Sequence, residues 1–230
     1  MKTTGQNKLL SRDGELISPW QAAASLSTGT PTNPMEVFDC LVIGAGITGL
    51  TAALLLQNAG RKVVIADAHS PGFGTTGGTS AYINTFADTT YKDAQDAFGK
   101  NGAQLFADAI NEGYGLIKAN VTTYRIDCDY ESKTGYIYAE DEKQAEQLND
   151  IFEGTKAVGV PVEYTTYVPT PLSFRSALAF DGQAQFHPLK YLQALVKSFL
   201  DAGGVILENT KIDTLETEDG LHIGIAGEQR

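Results

Sequence analysis

The chain has 230 residues, 42% of them hydrophobic, which is enough to bury one sizeable core or two smaller ones. Its 28 acidic residues outnumber its 17 basic residues, and the net charge is −11. This acidity disfavours nucleic acid and anionic membrane surfaces as partners. The two cysteines and three histidines are scattered singly, so we expect neither a disulfide framework nor a metal site.

The first 35 residues are polar and rich in Ser, Thr, Gly and Pro, which predicts an irregular N-terminal arm over 1–35. Within it, Trp20 is expected to dock on the body of the protein, because burying its ring removes a large apolar area from water. No apolar run of a secretory signal begins the sequence, and a cytoplasmic protein is therefore expected.

A strand, a glycine-rich turn and a helix follow the arm. Residues 37–43 are apolar and β-branched, as in a strand that is buried on both faces. Gly44 would permit a tight turn, Gly46 would let a pyrophosphate approach the backbone, and Gly49 would let the helix pack closely on the strand. The helix predicted over 47–58 would direct its free N–H groups, including those near Ile47 and Thr48, at that pyrophosphate.

A second buried strand, predicted over 62–66, ends in Asp67. A carboxylate at this position can accept hydrogen bonds from both hydroxyls of an adenosine ribose and would repel a 2′-phosphate. Strand, glycines, helix, strand and acid together predict a dinucleotide site for an unphosphorylated adenosine ribose. A tight turn between strand and helix that binds no ligand is the alternative.

The loop after Asp67 is crowded with glycines and hydroxyl groups, from Gly74 to Ser80. Its backbone N–H and side-chain O–H groups can surround phosphate, and Thr79 or Ser80 would open a following helix. A flexible surface loop without a ligand is the alternative.

These three segments carry a family resemblance. The chain resembles the FAD-dependent oxidoreductases of the D-amino-acid oxidase/glycine oxidase superfamily. The resemblance lies in Gly44-Ala-Gly-Ile-Thr-Gly49, in Asp67 and in Gly74-Thr-Thr-Gly-Gly-Thr-Ser-Ala81. The nearest branch is one whose members often carry a C-terminal Rieske iron–sulfur domain. Gly78 and Ser80 depart from that branch, which has His or Arg and then Thr at these positions.

The resemblance implies that FAD is the cofactor and that the 74–80 loop lies along its pyrophosphate and ribityl chain. It also implies a backbone contact between adenine and the strand around Ile212. The cofactor-binding residues expected in this way are Gly44, Ala45, Gly46, Ile47, Thr48, Gly49, Asp67, Ala68, His69, Gly74, Thr75, Thr76, Thr79, Ser80 and Ile212.

The expected fold class is α/β: a Rossmann-like dinucleotide-binding domain over 36–85 and 182–230, with an inserted α+β region over 86–181. In the inserted region we expect helices over 91–119, bent near Gly99 or Gly102, and over 141–158, with strands over 124–129, 135–139 and 174–180. In the return to the first domain we expect a helix over 188–201, a strand over 205–208 and a hairpin over 211–226 that turns at Asp219-Gly220.

The activity implied is flavin-dependent oxidation of a small molecule that bears an amine or a hydroxyl group. No residue is identified as catalytic. A NAD-binding dehydrogenase and a non-catalytic dinucleotide-binding scaffold or sensor are the alternatives. The resemblance begins at Phe38 and covers only the N-terminal part of the family pattern, without Rieske ligands. We therefore expect a truncated form, a proteolytic product or a decayed relative of the family. The expected protein partner is the C-terminal remainder of a longer protein or a second copy of the chain.

Overall fold

The computed structural model describes residues 17–23, 26, 37–86 and 88–227. In chain order, the helices are α1 (Pro19–Ala23), α2 (Ile47–Asn58), α3 (Thr75–Gly78), α4 (Tyr91–Thr123), α5 (Glu142–Ala157) and α6 (Pro188–Asp201). The strands are β1 (Cys40–Ile43), β2 (Val63–Ala66), β3 (Tyr82–Ile83), β4 (Glu131–Ala139), β5 (Glu163–Thr165), β6 (Ser176–Gln185), β7 (Val205–Leu207), β8 (Thr214–Glu218) and β9 (Leu221–Ile225).

These elements form two compact units. The first unit contains the described residues up to Ser80, residues 126–128, and the chain from His187 onward. The second unit contains residues 81–125 and 129–186. Of the predicted irregular arm, the structure describes 17–23 and Leu26; residues 19–23 form the short helix α1, and the rest of the arm lies outside the described residues.

The first unit is built on a parallel sheet with the order β1-β2-β7. All four residues of β2 are buried, as expected for a central parallel strand. The prediction that β1 is buried on both faces is wrong: its residues are half-buried, and Ile43 is 54% exposed. The reason is its position: among the described strands, β1 ends the order of this sheet and pairs with β2 alone.

Two helices of the first unit confirm their predicted bounds. Helix α2 covers 47–58, and helix α6 covers 188–201. Pro188 stands at the first helical position of α6, where its missing N–H costs nothing and its fixed φ suits the helix. His187 caps this helix, since its Nδ1 accepts the backbone N–H of Lys190 at 3.3 Å. The buried face of α6 includes Leu192, Leu195 and Phe199, which extend the core of this unit.

The hairpin β8–β9 also confirms its prediction. Its strands pair in antiparallel register from Thr214 with Ile225 to Glu218 with Leu221. Asp219 and Gly220 connect them with φ of 51° and 79°. Two successive positive φ angles are those of a type I′ turn, whose twist matches that of the paired strands.

The second unit is organised around β6, which pairs with β4 along one edge and with β3 and β5 along the other. The prediction of a strand over 124–129 is wrong. Arg125 and Asp129 have φ of 50° and 52°, which interrupts extended backbone, and β4 instead begins at Glu131. The strand predicted over 174–180 extends to Gln185 as β6.

Two helices complete the second unit. Helix α5 confirms its prediction, with Asp141 as N-cap through a 2.8 Å bond from the N–H of Gln144. Helix α4 is interrupted at Gly99, whose φ of 72° and ψ of 176° are not helical. The large apolar side chains along α4 are not all buried: Phe98 and Leu105 are 77% and 70% exposed. The interruption breaks the helical period, so the buried face does not continue across it.

Candidate dinucleotide site

The glycine turn after β1 is tied to the end of β2. Gly44 has a φ of +103°, which its lack of a Cβ permits, and its N–H donates to the carbonyl oxygen of Ala66 at 2.8 Å. This bond continues the parallel pairing of the two strands by one residue beyond Ile43. The turn therefore lies at the carboxyl end of the sheet, where open α/β folds bind their ligands.

The other two glycines of the turn have close neighbours. A Cβ on Gly49 would lie 2.0 Å from the carbonyl oxygen of Gly44, so helix α2 packs on the turn more closely than any side chain allows. This is the packing role that the spacing predicted. A Cβ on Gly46 would lie 3.1 Å from the hydroxyl oxygen of Thr76, which is the nearest atom to that side of the backbone.

The carboxylate of Asp67 is held by two backbone N–H groups. Its Oδ2 accepts the N–H of Ala45 at 2.6 Å, and its Oδ1 accepts the N–H of His69 at 2.8 Å. Each carboxylate oxygen has a second lone pair, so both retain the capacity to accept a ligand hydroxyl. Asp67 is half-buried. Because each of its carboxylate oxygens accepts a backbone N–H, the carboxylate is held beside the glycine turn.

The backbone around Asp67 is fixed by the chain that follows β7. Asp67 donates its N–H to Leu207 O at 2.9 Å, and its own carbonyl accepts the N–H of Thr210 at 2.7 Å. His69 O accepts the N–H of Asn209 at 2.9 Å, while its ring lies against that of Phe73 with 4.1 Å between centroids. The carboxyl ends of β2 and β7 are thus joined into one edge.

The loop from Gly72 to Ser80 lies against the glycine turn. Gly72 donates its N–H to Ala45 O at 3.1 Å, and Thr76 Oγ1 accepts the N–H of Ile47 at 3.1 Å. Thr76 therefore satisfies the first N–H of helix α2, and its own hydroxyl hydrogen is available to a further acceptor. Gly46, at the N-cap position, supplies no side-chain cap.

The prediction that Thr79 or Ser80 opens a helix is wrong. The residues that form a helix are the preceding ones, Thr75–Gly78, and Thr79 ends this helix as its C-cap with an extended ψ of 155°. From there the chain continues into strand β3, which pairs with β6. Strand pairing across the sequence outweighs the local N-cap preference of Thr and Ser.

The remaining residues expected at the site make no hydrogen bond to the glycine turn or to Asp67 that is described above. Thr48, Ala68, Thr75 and Ser80 are exposed, and Gly74 is half-buried at the start of α3. Ile212 is half-buried beside the hairpin: a Cβ on Gly224 would lie 3.2 Å from its Cδ1. Thr210, two residues earlier, makes the hydrogen bond to Asp67.

Sequence reasoning did not predict that residues 18–21 bind the loop from Gly72 to Ser80. Trp20 Nε1 donates to Thr79 O at 2.8 Å, and Gln21 Nε2 donates to Phe73 O at 2.9 Å. The expected docking of Trp20 is confirmed, since its ring also contacts that of His187 at 5.0 Å between centroids. The signal that could have found this segment is Ser18-Pro-Trp-Gln21, a capping box with proline at the first helical position.

The residues of this edge fit a dinucleotide. Pyrophosphate requires a glycine backbone that it can approach and the N-terminal end of a helix. Ribose requires a carboxylate that can still accept hydrogen bonds. Across the described residues, no group of three or more His, Cys, Asp or Glu is placed to hold a metal ion. None of the helices within the described ranges is long and apolar enough to cross a membrane.

Comparison with known proteins gives the family. A family model described as "FAD dependent oxidoreductase", DAO, matches residues 39–230. The YhfW protein of Bacillus subtilis, named for a Rieske 2Fe-2S iron-sulfur protein, is 32% identical over 191 residues, which are 83% of this chain and 38% of that protein. The gamma-glutamylputrescine oxidoreductase of Escherichia coli is 31% identical over 121 residues, which are 53% of this chain and 28% of that enzyme.

Solved structures agree on the fold. Glycine oxidase from Geobacillus kaustophilus superposes with a TM-score of 0.64 at 17% identity, covering 80% of this chain and 50% of that one. L-alpha-glycerophosphate oxidase from Mycoplasma pneumoniae, with FAD bound, gives 0.65 at 19% identity, covering 84% of this chain and 50% of that one. The chain thus spans half or less of the length of these relatives. With a Rossmann-like fold, a fitting dinucleotide edge and a family match over most of its length, this chain belongs to the DAO family of FAD-dependent oxidoreductases.

Proposed function

We propose that this chain binds FAD within an enzyme that oxidises a small molecule at a carbon bearing an amine or a hydroxyl group, by hydride transfer to the flavin. The family supports the cofactor and the reaction class. The relatives support the substrate class by their names, because glycine and gamma-glutamylputrescine bear amines and glycerophosphate bears hydroxyls. The activity is proposed for the whole protein, since the relatives extend beyond the part matched here.

The observation that carries this proposal is the hydrogen bond from Ala45 N–H to Asp67 Oδ2 at 2.6 Å. It holds the carboxylate beside the glycine turn, so ribose bound by Asp67 would have its pyrophosphate against Gly46. A carboxylate here accepts two ribose hydroxyls and repels a 2′-phosphate, which favours an unphosphorylated adenosine.

The phosphates would be held by backbone and hydroxyl donors rather than by cations. The N-terminal end of α2 carries partial positive charge from its aligned peptide dipoles. The absence of a Cβ at Gly46 leaves room for the Thr76 hydroxyl beside this end of the helix. The hydroxyl of Thr76 and the backbone of the 74–80 loop would supply further donors. When bound, the flavin ring supplies the redox chemistry, and the role of these residues is to position it.

The test is an absorbance spectrum and an FAD titration of the purified 230-residue chain. Flavin bands that persist after desalting, with an absorbance peak that titrates to one FAD per chain, would support the proposal. A titration with NAD is the matched control, and we expect weaker binding or none. A chain that is folded by circular dichroism and retains no flavin would contradict it.

Substrate oxidation is tested on the flavin-loaded protein without oxygen. Glycine, gamma-glutamylputrescine and glycerophosphate are added in turn, and loss of the visible flavin absorbance reports reduction of the cofactor. Bleaching by an amine or hydroxy compound would support an enzyme. Retention of FAD with no bleaching by any of these compounds would favour a scaffold or sensor.

A further inference from the structure

The short segment from Ser18 to Gln21 is a pre-shaped unit. Ser18 Oγ accepts the N–H of Gln21 at 3.1 Å, and Gln21 Oε1 accepts the N–H of Ser18 at 3.3 Å, which together form a capping box. Pro19 occupies the first helical position. A helix as short as α1 is not stable by itself in water, so its caps and its docking partners hold it. We name Ser18–Gln21 the clasp.

All three polar side chains of the clasp donate to backbone carbonyls of one segment. Ser18 Oγ donates to Gly77 O, Trp20 Nε1 to Thr79 O at 2.8 Å, and Gln21 Nε2 to Phe73 O at 2.9 Å. These contacts join residues more than fifty positions apart and lie at both ends and in the middle of residues 73–79. The clasp therefore fixes the whole 73–79 segment, not one point of it.

The 73–79 segment is shaped to receive the clasp. A Cβ on Gly77 would lie 2.6 Å from Gln21 Nε2 and 2.5 Å from Gly72 O, so a side chain there would displace both. Gly77 is buried, and no larger residue fits between the two segments. The ring of Trp20 also contacts that of His187, the N-cap of α6, and this contact joins the clasp to a helix whose other face is buried in the core of the first unit.

The direction of these hydrogen bonds determines which groups remain available. In a trans peptide the C=O of one residue and the N–H of the next point in opposite directions. Because the carbonyls of Phe73 and Thr79 point at the clasp, the N–H groups of Gly74 and Ser80 point away from it. The clasp thus occupies the acceptors of the segment and leaves donors on the opposite side, where an anion needs them.

We infer that Ser18, Trp20 and Gln21 are positioning residues that hold the 73–79 segment in the conformation that binds the phosphates of FAD. This inference rests on the proposed function, because it concerns the same cofactor. The clasp does not touch the cofactor in this account. It lowers the cost of ordering the loop when FAD binds, since the loop is already fixed in the free protein.

The experiment measures the Kd of FAD, by quenching of flavin fluorescence, on the intact chain and its variants. Trp20→Phe removes one hydrogen bond to the 73–79 segment. Gln21→Ala and Ser18→Ala each remove one hydrogen bond to this segment and one within the capping box. We expect the Kd to rise about 3- to 10-fold for each variant. Trp20→Phe keeps an aromatic ring against His187. Ser18→Thr keeps the hydroxyl and should restore the wild-type Kd.

The matched control is Gln104→Ala in helix α4, whose Nε2 donates to the carbonyl of Val158 at 3.3 Å, remote in sequence from the clasp and its loop. It should change the melting temperature without changing the Kd. Hydrogen exchange of the free protein gives a second readout. The amides of Phe73 and Gly77 are hydrogen-bonded to Ser70 O at 3.1 Å and to Gly74 O at 2.9 Å, and they should exchange faster in the clasp variants and at the wild-type rate in the control.

The outcomes separate the two proposals. A wild-type chain that is folded and does not bind FAD would overturn the proposed function and the clasp together. A wild-type chain that binds FAD, with clasp variants of unchanged Kd and unchanged loop exchange, would overturn the clasp alone. The clasp alone is also overturned if Ser18→Thr raises the Kd as much as Ser18→Ala, because the hydroxyl would then be irrelevant.

Discussion

The carboxylate of Asp67 accepts the backbone N–H of Ala45 at 2.6 Å, across 22 positions of sequence. This bond joins the acid at the end of β2 to the glycine turn at the end of β1. Since Oδ1 is held by the N–H of His69, both oxygens are oriented before any ligand arrives. The group expected to recognise ribose is thus also a structural link between two strands.

Asp67→Ala should therefore weaken FAD binding by about 1.5–3 kcal/mol, which is a Kd about 10- to 150-fold higher, because charge-assisted bonds to the ribose hydroxyls are lost. Calorimetric titration of each variant with FAD measures this change in Kd. Asp39→Ala is the matched control: Asp39 also accepts a backbone N–H, that of Lys62 at 2.8 Å, but at the opposite end of the strands. Equal affinities in wild type and Asp67→Ala would remove Asp67 from the site.

Gly49→Ala should destabilise the protein before any cofactor is considered. Its Cβ would lie 2.0 Å from the carbonyl oxygen of Gly44, so helix α2 would have to move. We expect the free energy of unfolding to fall by about 1–3 kcal/mol or more, measured by urea denaturation. Gly113→Ala in α4 is the control, because nothing lies within 4 Å of its Cβ; it should be neutral or stabilising. Equal losses in both variants would contradict the close packing at Gly49.

Thr76→Val should raise the Kd of FAD roughly 2- to 10-fold, because valine can neither accept the N–H of Ile47 nor donate to a phosphate. Thr76→Ser keeps the hydroxyl and should bind as the wild type does. Thr122→Val is the control, since that hydroxyl donates to the carbonyl of Lys118 on the surface of α4. A Thr76→Val variant that binds FAD normally would show that the hydroxyl does not serve the cofactor.

Stability at alkaline pH should depend on Tyr91. Burial raises the pKa of Tyr91 above its ordinary value of 10.0, because its charged form is poorly solvated in the core. Its hydroxyl also donates to the carbonyl of Thr85, which requires the protonated form. The folded pKa is raised, so this contribution to stability is fully present below pH 10 and is lost as the pH rises through the folded pKa.

Urea denaturation between about pH 8 and pH 11 tests this dependence, as these values bracket the ordinary range for tyrosine. In the wild type the free energy of unfolding should fall as the pH rises. Tyr91→Phe should be less stable than the wild type at pH 8, for want of the hydrogen bond, and should lose less stability on going to high pH. Parallel curves for the two proteins would exclude Tyr91 as the source.

Local patterns in the sequence were sufficient for the elements that carry strong signals. Helix α2 and helix α6 have the predicted bounds because an apolar period begins after a clear start signal, glycine at one and His187-Pro188 at the other. The turn at Asp219-Gly220 follows in the same way from residues that adopt positive φ. The FAD family was also recognisable from the glycines, Asp67 and the 74–81 segment.

Tertiary structure decided where local preference was weak or was outweighed. Residues 124–129 alternate like a strand, yet β4 lies further along because β6 pairs with residues from Glu131 onward. Thr79 has the chemistry of an N-cap, yet it ends helix α3 as its C-cap, because the chain continues into β3, which pairs with β6. The bonds that shape the site, Ala45 to Asp67, Ile47 to Thr76 and Gln21 to Phe73, join residues 22, 29 and 52 positions apart. Such pairs leave no periodic trace along a sequence, because only the folded chain brings their donors and acceptors within reach.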